Sequence, residues 1–229
     1  MNQELADMLG QPEELHPDLQ ECVSEDHFVM LRHRLLYMVP FSDALSGYAN
    51  KLYAQKLELL AKAEAIGDFH TYVWLHERPY RVDAFCDIMH LLNGQEYWEL
   101  LASVWMDSEN IRENFEVLEI LLRNPKTDRE YFMTPEDREV LASLPDTVTV
   151  YQGHTLDRDD GWSWTTDEAT AVWFARRFGM LEDATPVVSV GFVPKPAITA
   201  YLGGRNESEI VVDPDEVTIT RVYAPGEPS

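Results

Sequence analysis

The chain has 229 residues, of which 45% are hydrophobic, enough to bury one large core or two smaller ones. Its formal net charge of −23 argues against broad, non-specific binding to DNA, because phosphate contacts need clustered lysine and arginine side chains. The sequence contains no run of about 18 apolar residues, so no membrane-spanning segment is predicted.

The N-terminal region is acidic and is interrupted by the prolines at positions 12, 17 and 40. It has no basic start followed by an apolar stretch, so we expect no signal peptide and a cytoplasmic location. The segment 27–38 is apolar enough to pack on the rest of the chain, and we predict that it does so as a helix.

Several separate helices are predicted between residues 45 and 144. Leu45–Ile66 carries apolar residues on one helical face, and Gly67 is a plausible terminator. Asn93-Gly94 is expected to end a helix by the left-handed conformation that these residues favour. Further helices are predicted over Tyr80–Leu92, Gln95–Met106, Ser108–Leu122 and from Thr134 to about Leu144. The evidence is their apolar spacing, together with proline, serine or threonine residues that favour a helix start.

The pattern changes near residue 145, where β-branched segments separated by proline, glycine and aspartate begin. These segments are 148–152, 187–193, 198–202, 210–212 and 217–222. The sequence therefore predicts an α+β fold, in which a helical N-terminal region, residues 1–145, packs on a small β-rich region, residues 146–229.

Within the β-rich region, a predicted strand ends in Gly153-His154-Thr155, and a second follows at Trp162-Ser163-Trp164-Thr165. Alternation on the second strand places the Ser163 and Thr165 hydroxyls on one side and the two tryptophans, expected in the core, on the other. Asp167 is the predicted N-cap of a helix over 168–178.

Glu207-Ser208-Glu209 precedes the apolar run Ile210-Val211-Val212. We predict that these residues lie on one strand, so the two carboxylates at i and i+2 point to the same face. A pair of carboxylates directed at one place is typical of an active site.

Motifs for other kinds of chemistry are missing from the sequence. Neither Gly-x-Gly-x-x-Gly nor Gly-x-x-x-x-Gly-Lys-Ser/Thr occurs, which argues against a Rossmann domain or a P-loop. Cys22 and Cys86 lack zinc-finger or redox spacing, so free thiols are expected. The histidines show no ligand spacing, and no metal is predicted.

The β-rich segments together resemble the ADP-ribosyltransferase fold. In that family a Tyr-Arg-Gly or Tyr-His-Gly strand, a Ser-x-Ser/Thr strand with a following helix, and a Glu/Gln-x-Glu strand surround NAD. The matching segments here are Tyr151-Gln152-Gly153, Ser163-Trp164-Thr165 and Glu207-Ser208-Glu209. The resemblance covers roughly the last third of the chain.

The resemblance implies transfer of ADP-ribose from NAD, used as a substrate, to a protein or nucleic acid by a toxin-like bacterial or phage effector. Cleavage of the bond between nicotinamide and ribose creates positive charge on the sugar, which a fixed carboxylate stabilises. By the resemblance, Glu209 would be that carboxylate and Ser163 would orient it. Glu207 would help to choose or activate the acceptor, which the turn at 201–206 would present.

The resemblance also implies that Gln152, Gly153, His154 and Thr165 bind NAD. Gln152 stands where the family carries arginine or histidine, and its amide donates hydrogen bonds but cannot neutralise a pyrophosphate. Protonated His154 could supply part of that charge.

The departure at Gln152 leaves two other functions open. One is hydrolysis of an N-glycosidic bond, either in NAD itself or in a nucleotide that loses its base. The other is a non-catalytic binding module that has kept the fold.

Overall fold

A computed structural model of the chain describes residues 11–24, 28–108, 114–157, 161–204 and 207–226. The architecture is α+β, as the sequence predicts. The described residues form two compact units, the first within Met1–Leu92 and Ser103–Asn114 and the second within Asn93–Ala102 and Phe115–Ser229. The units therefore divide the chain elsewhere than at residue 145, and the helices that follow Phe115 belong with the β-rich segments.

The first unit contains a small antiparallel sheet where the sequence predicted a helix over 27–38. After a short helix, α1 (Pro17–Gln20), come the strands β1 (Val23–Ser24), β2 (Met30–His33) and β3 (Leu36–Pro40). Residue 27 lies outside the described ranges, but the rest of the predicted helix is a hairpin, so that prediction is wrong.

The hairpin closes tightly, because His33 pairs with Leu36 and leaves only Arg34 and Leu35 in the turn. Neither of these residues is one of the glycines or asparagines that signal such turns. Leu35 is buried in the core of the unit, together with Leu19, Leu31, Leu36, Ala49 and Tyr53. The turn is therefore anchored by the burial of Leu35 and not by a residue type that favours turns, and the sequence offers no turn signal at this place.

The helices of the first unit follow the predicted pattern more closely. The long helix α2 (Ser46–Ile66) ends at Gly67, whose φ of 71° is the left-handed conformation expected of a terminating glycine. It is followed by α3 (Phe69–Leu75), which the sequence did not predict, and by α4 (Arg81–Ile88), which is shorter than the helix predicted over 80–92.

Asn93 starts the helix α5 (Gly94–Asp107) instead of ending the helix before it, so the predicted role of Asn93-Gly94 is corrected. The Asn93 side chain accepts a hydrogen bond from the Glu96 backbone N–H at 2.9 Å, and the Glu96 carboxylate accepts one from the Asn93 N–H at 3.1 Å. This reciprocal capping box satisfies two N–H groups that a helix start otherwise leaves unpaired.

The second unit continues with α6 (Phe115–Leu122), α7 (Pro135–Ser143) and α8 (Glu168–Glu182). The predicted start of α6 near Ser108 falls partly on residues 109–113, outside the described ranges. The α8 helix begins where the sequence predicted it, because Asp167 accepts hydrogen bonds from two N–H groups of its first turn.

The sheet of the second unit is antiparallel, with the strand order β7-β8-β5-β4-β6-β9. The strands are β4 (Thr147–Thr155), β5 (Ser163–Thr165), β6 (Pro186–Pro194), β7 (Ile198–Leu202), β8 (Glu209–Val212) and β9 (Thr218–Tyr223). The short strand β5 lies between β4 and β8. The three segments on which the family resemblance depends are therefore on or directly before adjacent strands.

The two faces of this sheet pack on different helices. On one face lies a core that includes Val150, Trp164 and Ile210. It packs against Leu141 of α7 and against Leu144, the residue that follows this helix. On the other face, Ala171 and Ala175 of α8 are fully buried. Trp162 and Trp164 are both buried, as predicted. Across the described ranges, none of the helices has the length and hydrophobicity needed to cross a membrane.

Candidate active site

Ser163 and Glu209 are joined side chain to side chain in the middle of this sheet. The Ser163 hydroxyl donates a hydrogen bond of 2.5 Å to Oε1 of Glu209. The strand register pairs Thr165 with Glu209 and Ser163 with Val211, so the side chains of all four residues point to one face of the sheet. Glu209 is only 3% exposed, and the structure therefore holds its carboxyl group in one orientation.

Thr165 connects β5 to the segment that precedes β8. Its hydroxyl donates a hydrogen bond to the Glu207 carbonyl oxygen at 2.6 Å and accepts one from the Asp167 N–H at 3.0 Å. A hydroxyl has one hydrogen to donate, and this one is used within the protein. Thr165, predicted to bind NAD, therefore lies at the site but uses its hydroxyl to fix the backbone on either side.

Glu207 does not share the strand with Glu209, because β8 begins at Glu209. Ser208 between them has a φ of 47°, a left-handed conformation that interrupts the alternation of a strand. The prediction of two carboxylates alternating along one strand is therefore wrong. The structure separates them into a buried Glu209 and a half-buried Glu207.

Glu207 lines a cavity of about 330 Å³ at the start of α8. The other lining residues are Asp167, Ala169, Thr170, Trp173 and Phe174. Hydrogen bonds from the Thr170 hydroxyl and from the Ala169 N–H lower the pKa of Asp167, so this carboxylate is charged at neutral pH.

Trp173, which is 53% exposed on α8, was not among the predicted site residues. A signal was present, because Trp173 falls outside the helical face formed by the buried Ala171 and Ala175. The exposed ring contacts Phe174, with the two centroids 4.9 Å apart, and both side chains line the same cavity as Glu207.

Gln152 lies on the opposite face of the sheet from Glu209. Tyr151 pairs with Thr165 and shares its face, so the next residue along β4 points the other way. The Gln152 amide donates hydrogen bonds to the carbonyl oxygens of Gly161 at 3.1 Å and Ser163 at 2.9 Å. Among the described residues its Oε1 is buried without a hydrogen-bond partner. Gln152 thus fixes the Ser163 backbone from the face of the sheet opposite Glu209.

Gly153 and His154 are also engaged within the fold. A Cβ atom on Gly153 would lie 1.9 Å from the Ala171 carbonyl oxygen, so glycine is required for α8 to approach the sheet. His154 follows Gln152 by two residues and lies on its face of β4. The His154 ring nitrogens contact the Thr155 carbonyl oxygen at 3.0 Å and the Ser189 hydroxyl at 2.8 Å.

Comparison with family models, with characterised proteins and with solved structures finds no match to this chain. Within the ranges that the structure describes, no group of three or more histidine, cysteine, aspartate or glutamate side chains is arranged to hold a metal ion.

Proposed function

We propose that the chain cleaves the bond between nicotinamide and ribose in NAD and transfers ADP-ribose to a macromolecular acceptor. The observation that carries this proposal is the buried Glu209 carboxyl group, bound by the Ser163 hydroxyl on the adjacent strand. The placement of Tyr151, Ser163 and Glu209 on one face of adjacent strands supports it further.

In the proposed reaction, the C–N bond to nicotinamide breaks and its electron pair leaves with the nicotinamide, which becomes neutral. The ribose carbon is left with positive charge, and the negative carboxylate of Glu209 stabilises that charge and binds a ribose hydroxyl. The Ser163 hydroxyl orients the carboxylate, so little reorganisation is needed as the charge develops. The acceptor then attacks the same carbon and releases a proton.

Glu207 is the candidate to receive that proton. The Thr165 hydroxyl fixes its backbone, while its side chain lines the cavity beside α8. A carboxylate in this place could accept the proton of an attacking nucleophile if the acceptor enters through the cavity. The two carboxylates would then have different roles, which suits their separate positions: Glu209 acts on the sugar and Glu207 on the acceptor.

Hydrolysis is a second candidate, favoured by the direction of the β4 side chains. Gln152 and His154 lie on the face opposite Glu209, so β4 offers no cationic side chain for a pyrophosphate beside that carboxyl group. A substrate that is held less tightly could react with water instead of a macromolecule. The second unit would then act as an N-glycoside hydrolase.

NAD labelled in its adenylate phosphate separates these reactions. The protein is incubated with labelled NAD and with cell protein or nucleic acid, and we expect label to enter a macromolecule. Free labelled ADP-ribose alone would indicate hydrolysis, and unconsumed NAD would contradict both enzymatic proposals. The Glu209→Gln variant is the control, because it keeps the shape of the side chain and removes its charge.

A further inference from the structure

The first turn of α8 is attached to the edge strand β9 by a contact that has no part in the reaction described above. The Tyr223 hydroxyl on β9 donates a hydrogen bond of 2.5 Å to Oε1 of Glu168, the first residue of α8. Tyr223 is only 6% exposed, and a bond of this length is typical of a hydroxyl that donates to a carboxylate. Burial and the bond to Glu168 raise the pKa of Tyr223 to about 12, so the phenol stays protonated and remains the donor at neutral pH.

The turn between β5 and α8 holds the main chain that precedes β8. The Thr165 hydroxyl donates a hydrogen bond to the Glu207 carbonyl oxygen at 2.6 Å. The Thr166 N–H donates one to the Ser208 carbonyl oxygen at 3.1 Å. Two consecutive carbonyl groups ahead of β8 are therefore bound by two consecutive residues of one turn.

The same turn leads directly into the helix that Tyr223 holds. The Asp167 N–H donates a hydrogen bond to the Thr165 hydroxyl at 3.0 Å, and Glu168 follows Asp167 as the first residue of α8. The turn is thus fixed at one end by its place in β5 and at the other by the contact between Glu168 and Tyr223.

The backbone of Ser208 depends on these contacts. Its φ of 47° is a left-handed conformation that serine adopts rarely and that persists where the surrounding structure imposes it. Glu209 is the next residue, so the direction of its side chain follows from the conformation of Ser208. If the turn were released, Ser208 could return to an extended backbone, and the Glu209 carboxyl group would lose its alignment with the Ser163 hydroxyl.

We infer that Tyr223 and Glu168 are positioning residues for Glu209, and that they act through the turn of residues 165–167 and the backbone of Ser208. The inference rests on the proposed reaction at Glu209, since it gives these two residues a part in that reaction. Their effect is on the orientation of the carboxylate and not on contact with the substrate. Loss of their contact should therefore lower turnover and leave KM for NAD almost unchanged.

Exchange of backbone amide hydrogens, followed by NMR without NAD, tests the attachment of the turn alone. Tyr223→Phe removes only the hydroxyl, and we expect the Thr166 N–H to exchange about tenfold faster than in the wild type, because its bond to Ser208 is loosened. Glu168→Gln keeps an oxygen that can accept the tyrosine hydrogen bond, so exchange should stay within about threefold of the wild-type rate.

Tyr97→Phe is the matched control for the loss of a tyrosine hydroxyl. The Tyr97 hydroxyl is buried in the same unit and donates a hydrogen bond of 2.8 Å to the Leu121 carbonyl oxygen. This variant also loses stability, but the Thr166 N–H should exchange as in the wild type. Wild-type exchange of Thr166 in Tyr223→Phe, or equally fast exchange in the two phenylalanine variants, would overturn the inference.

Release of nicotinamide from NAD measures the consequence for turnover. We expect Tyr223→Phe to lower kcat about tenfold and to change KM less than about twofold. Glu168→Gln and Tyr97→Phe should keep kcat within about threefold of the wild type. An unchanged kcat in Tyr223→Phe would overturn the inference while the proposed reaction stands.

Thr165→Val separates positioning from a general loss of stability. This variant releases the same turn from β5, so the addition of Tyr223→Phe should lower kcat little further. Independent factors that simply multiply in the double variant would contradict the inference. Faster exchange of Thr166 in Tyr223→Phe, found in a protein that does not turn over NAD, would instead contradict the proposed reaction and leave the attachment of the turn standing.

Discussion

The Gln152 side-chain amide donates a hydrogen bond of 2.9 Å to the carbonyl oxygen of Ser163, the residue whose hydroxyl binds Glu209. A second bond from the same amide reaches the Gly161 carbonyl oxygen at 3.1 Å, so one side chain fixes the backbone that leads into β5. Gln152 therefore acts on the candidate active site through Ser163, from the opposite face of the sheet.

This relationship predicts the result of replacing Gln152 with glutamate. The variant loses both N–H donors and directs a buried carboxylate at two carbonyl oxygens, so we expect its free energy of unfolding to fall by about 2 kcal/mol or more. Turnover of NAD should fall through kcat more than through KM, because the damage is to the position of Ser163. Urea denaturation and steady-state kinetics measure both effects. Gln152→Met, which adds no charge, is expected to lose less stability, and an equally stable glutamate variant would contradict the assignment.

Replacement of Glu209 with glutamine tests the proposed reaction. The amide oxygen can still accept the Ser163 hydrogen bond, so we expect the thermal unfolding midpoint to change little. Loss of one preorganised electrostatic group lowers turnover by about a hundredfold or more. Release of nicotinamide from NAD measures that loss. Ser163→Ala keeps the charge and should have a smaller effect, and wild-type turnover in Glu209→Gln would refute the mechanism.

Gly153 and Gly161 provide a matched pair for the packing of α8. A Cβ atom on Gly153 would lie 1.9 Å from the Ala171 carbonyl oxygen, whereas one on Gly161 would meet nothing closer than 3.7 Å. We expect Gly153→Ala to lower the free energy of unfolding by about 3 kcal/mol or more, since backbone cannot move aside easily. Gly161→Ala should be close to neutral. Chemical denaturation of the two variants gives the comparison, and similar stabilities would show that α8 can shift.

The first unit is predicted to lose stability as the pH falls through about 6.5. Burial, with a smaller contribution from the Arg34 charge, lowers the pKa of His33, and burial lowers the pKa of His76. His33 also accepts a hydrogen bond from the Leu35 N–H at 3.1 Å, which a protonated ring cannot accept. Both histidines are therefore neutral in the folded state and bind protons more readily when unfolded.

The direction of the change in stability with pH follows from that difference in proton binding. Stability is fully present above the unfolded pKa, and it declines as the pH drops towards the lower folded values. Urea unfolding at a series of pH values between 8 and about 5.5, above the range where carboxylates titrate, measures the decline. The double variant His33→Asn, His76→Gln should flatten the profile, and a wild-type profile without slope would contradict the prediction.

Elements with strong end signals could be predicted from the sequence. Gly67 ends α2 and Asp167 caps α8 as expected, because left-handed glycine and side-chain capping are local chemistry that neighbouring residues reveal. The alternation of Ser163 and Trp164 on β5 was also predicted correctly, since it depends only on the pleat of one strand.

Two features of the candidate site depend on more than local chemistry. The face on which Gln152 lies follows from the register between β4 and β5, and a shift of one residue would reverse it. The break between Glu207 and Glu209 follows from the left-handed backbone at Ser208, a conformation that serine rarely adopts. Neither the register nor this turn has a signature in the residues themselves.

The left-handed turn at Ser208 divides the chain at a useful point for engineering. Downstream, Glu209 belongs to a strand whose four residues are all buried. Upstream, the Thr165 hydroxyl donates a hydrogen bond to the main-chain carbonyl oxygen of Glu207, a contact that any residue type at this position can make. Under the proposed mechanism, replacing the Glu207 side chain should therefore change the preference for an acceptor while the Ser163–Glu209 contact stays as it is.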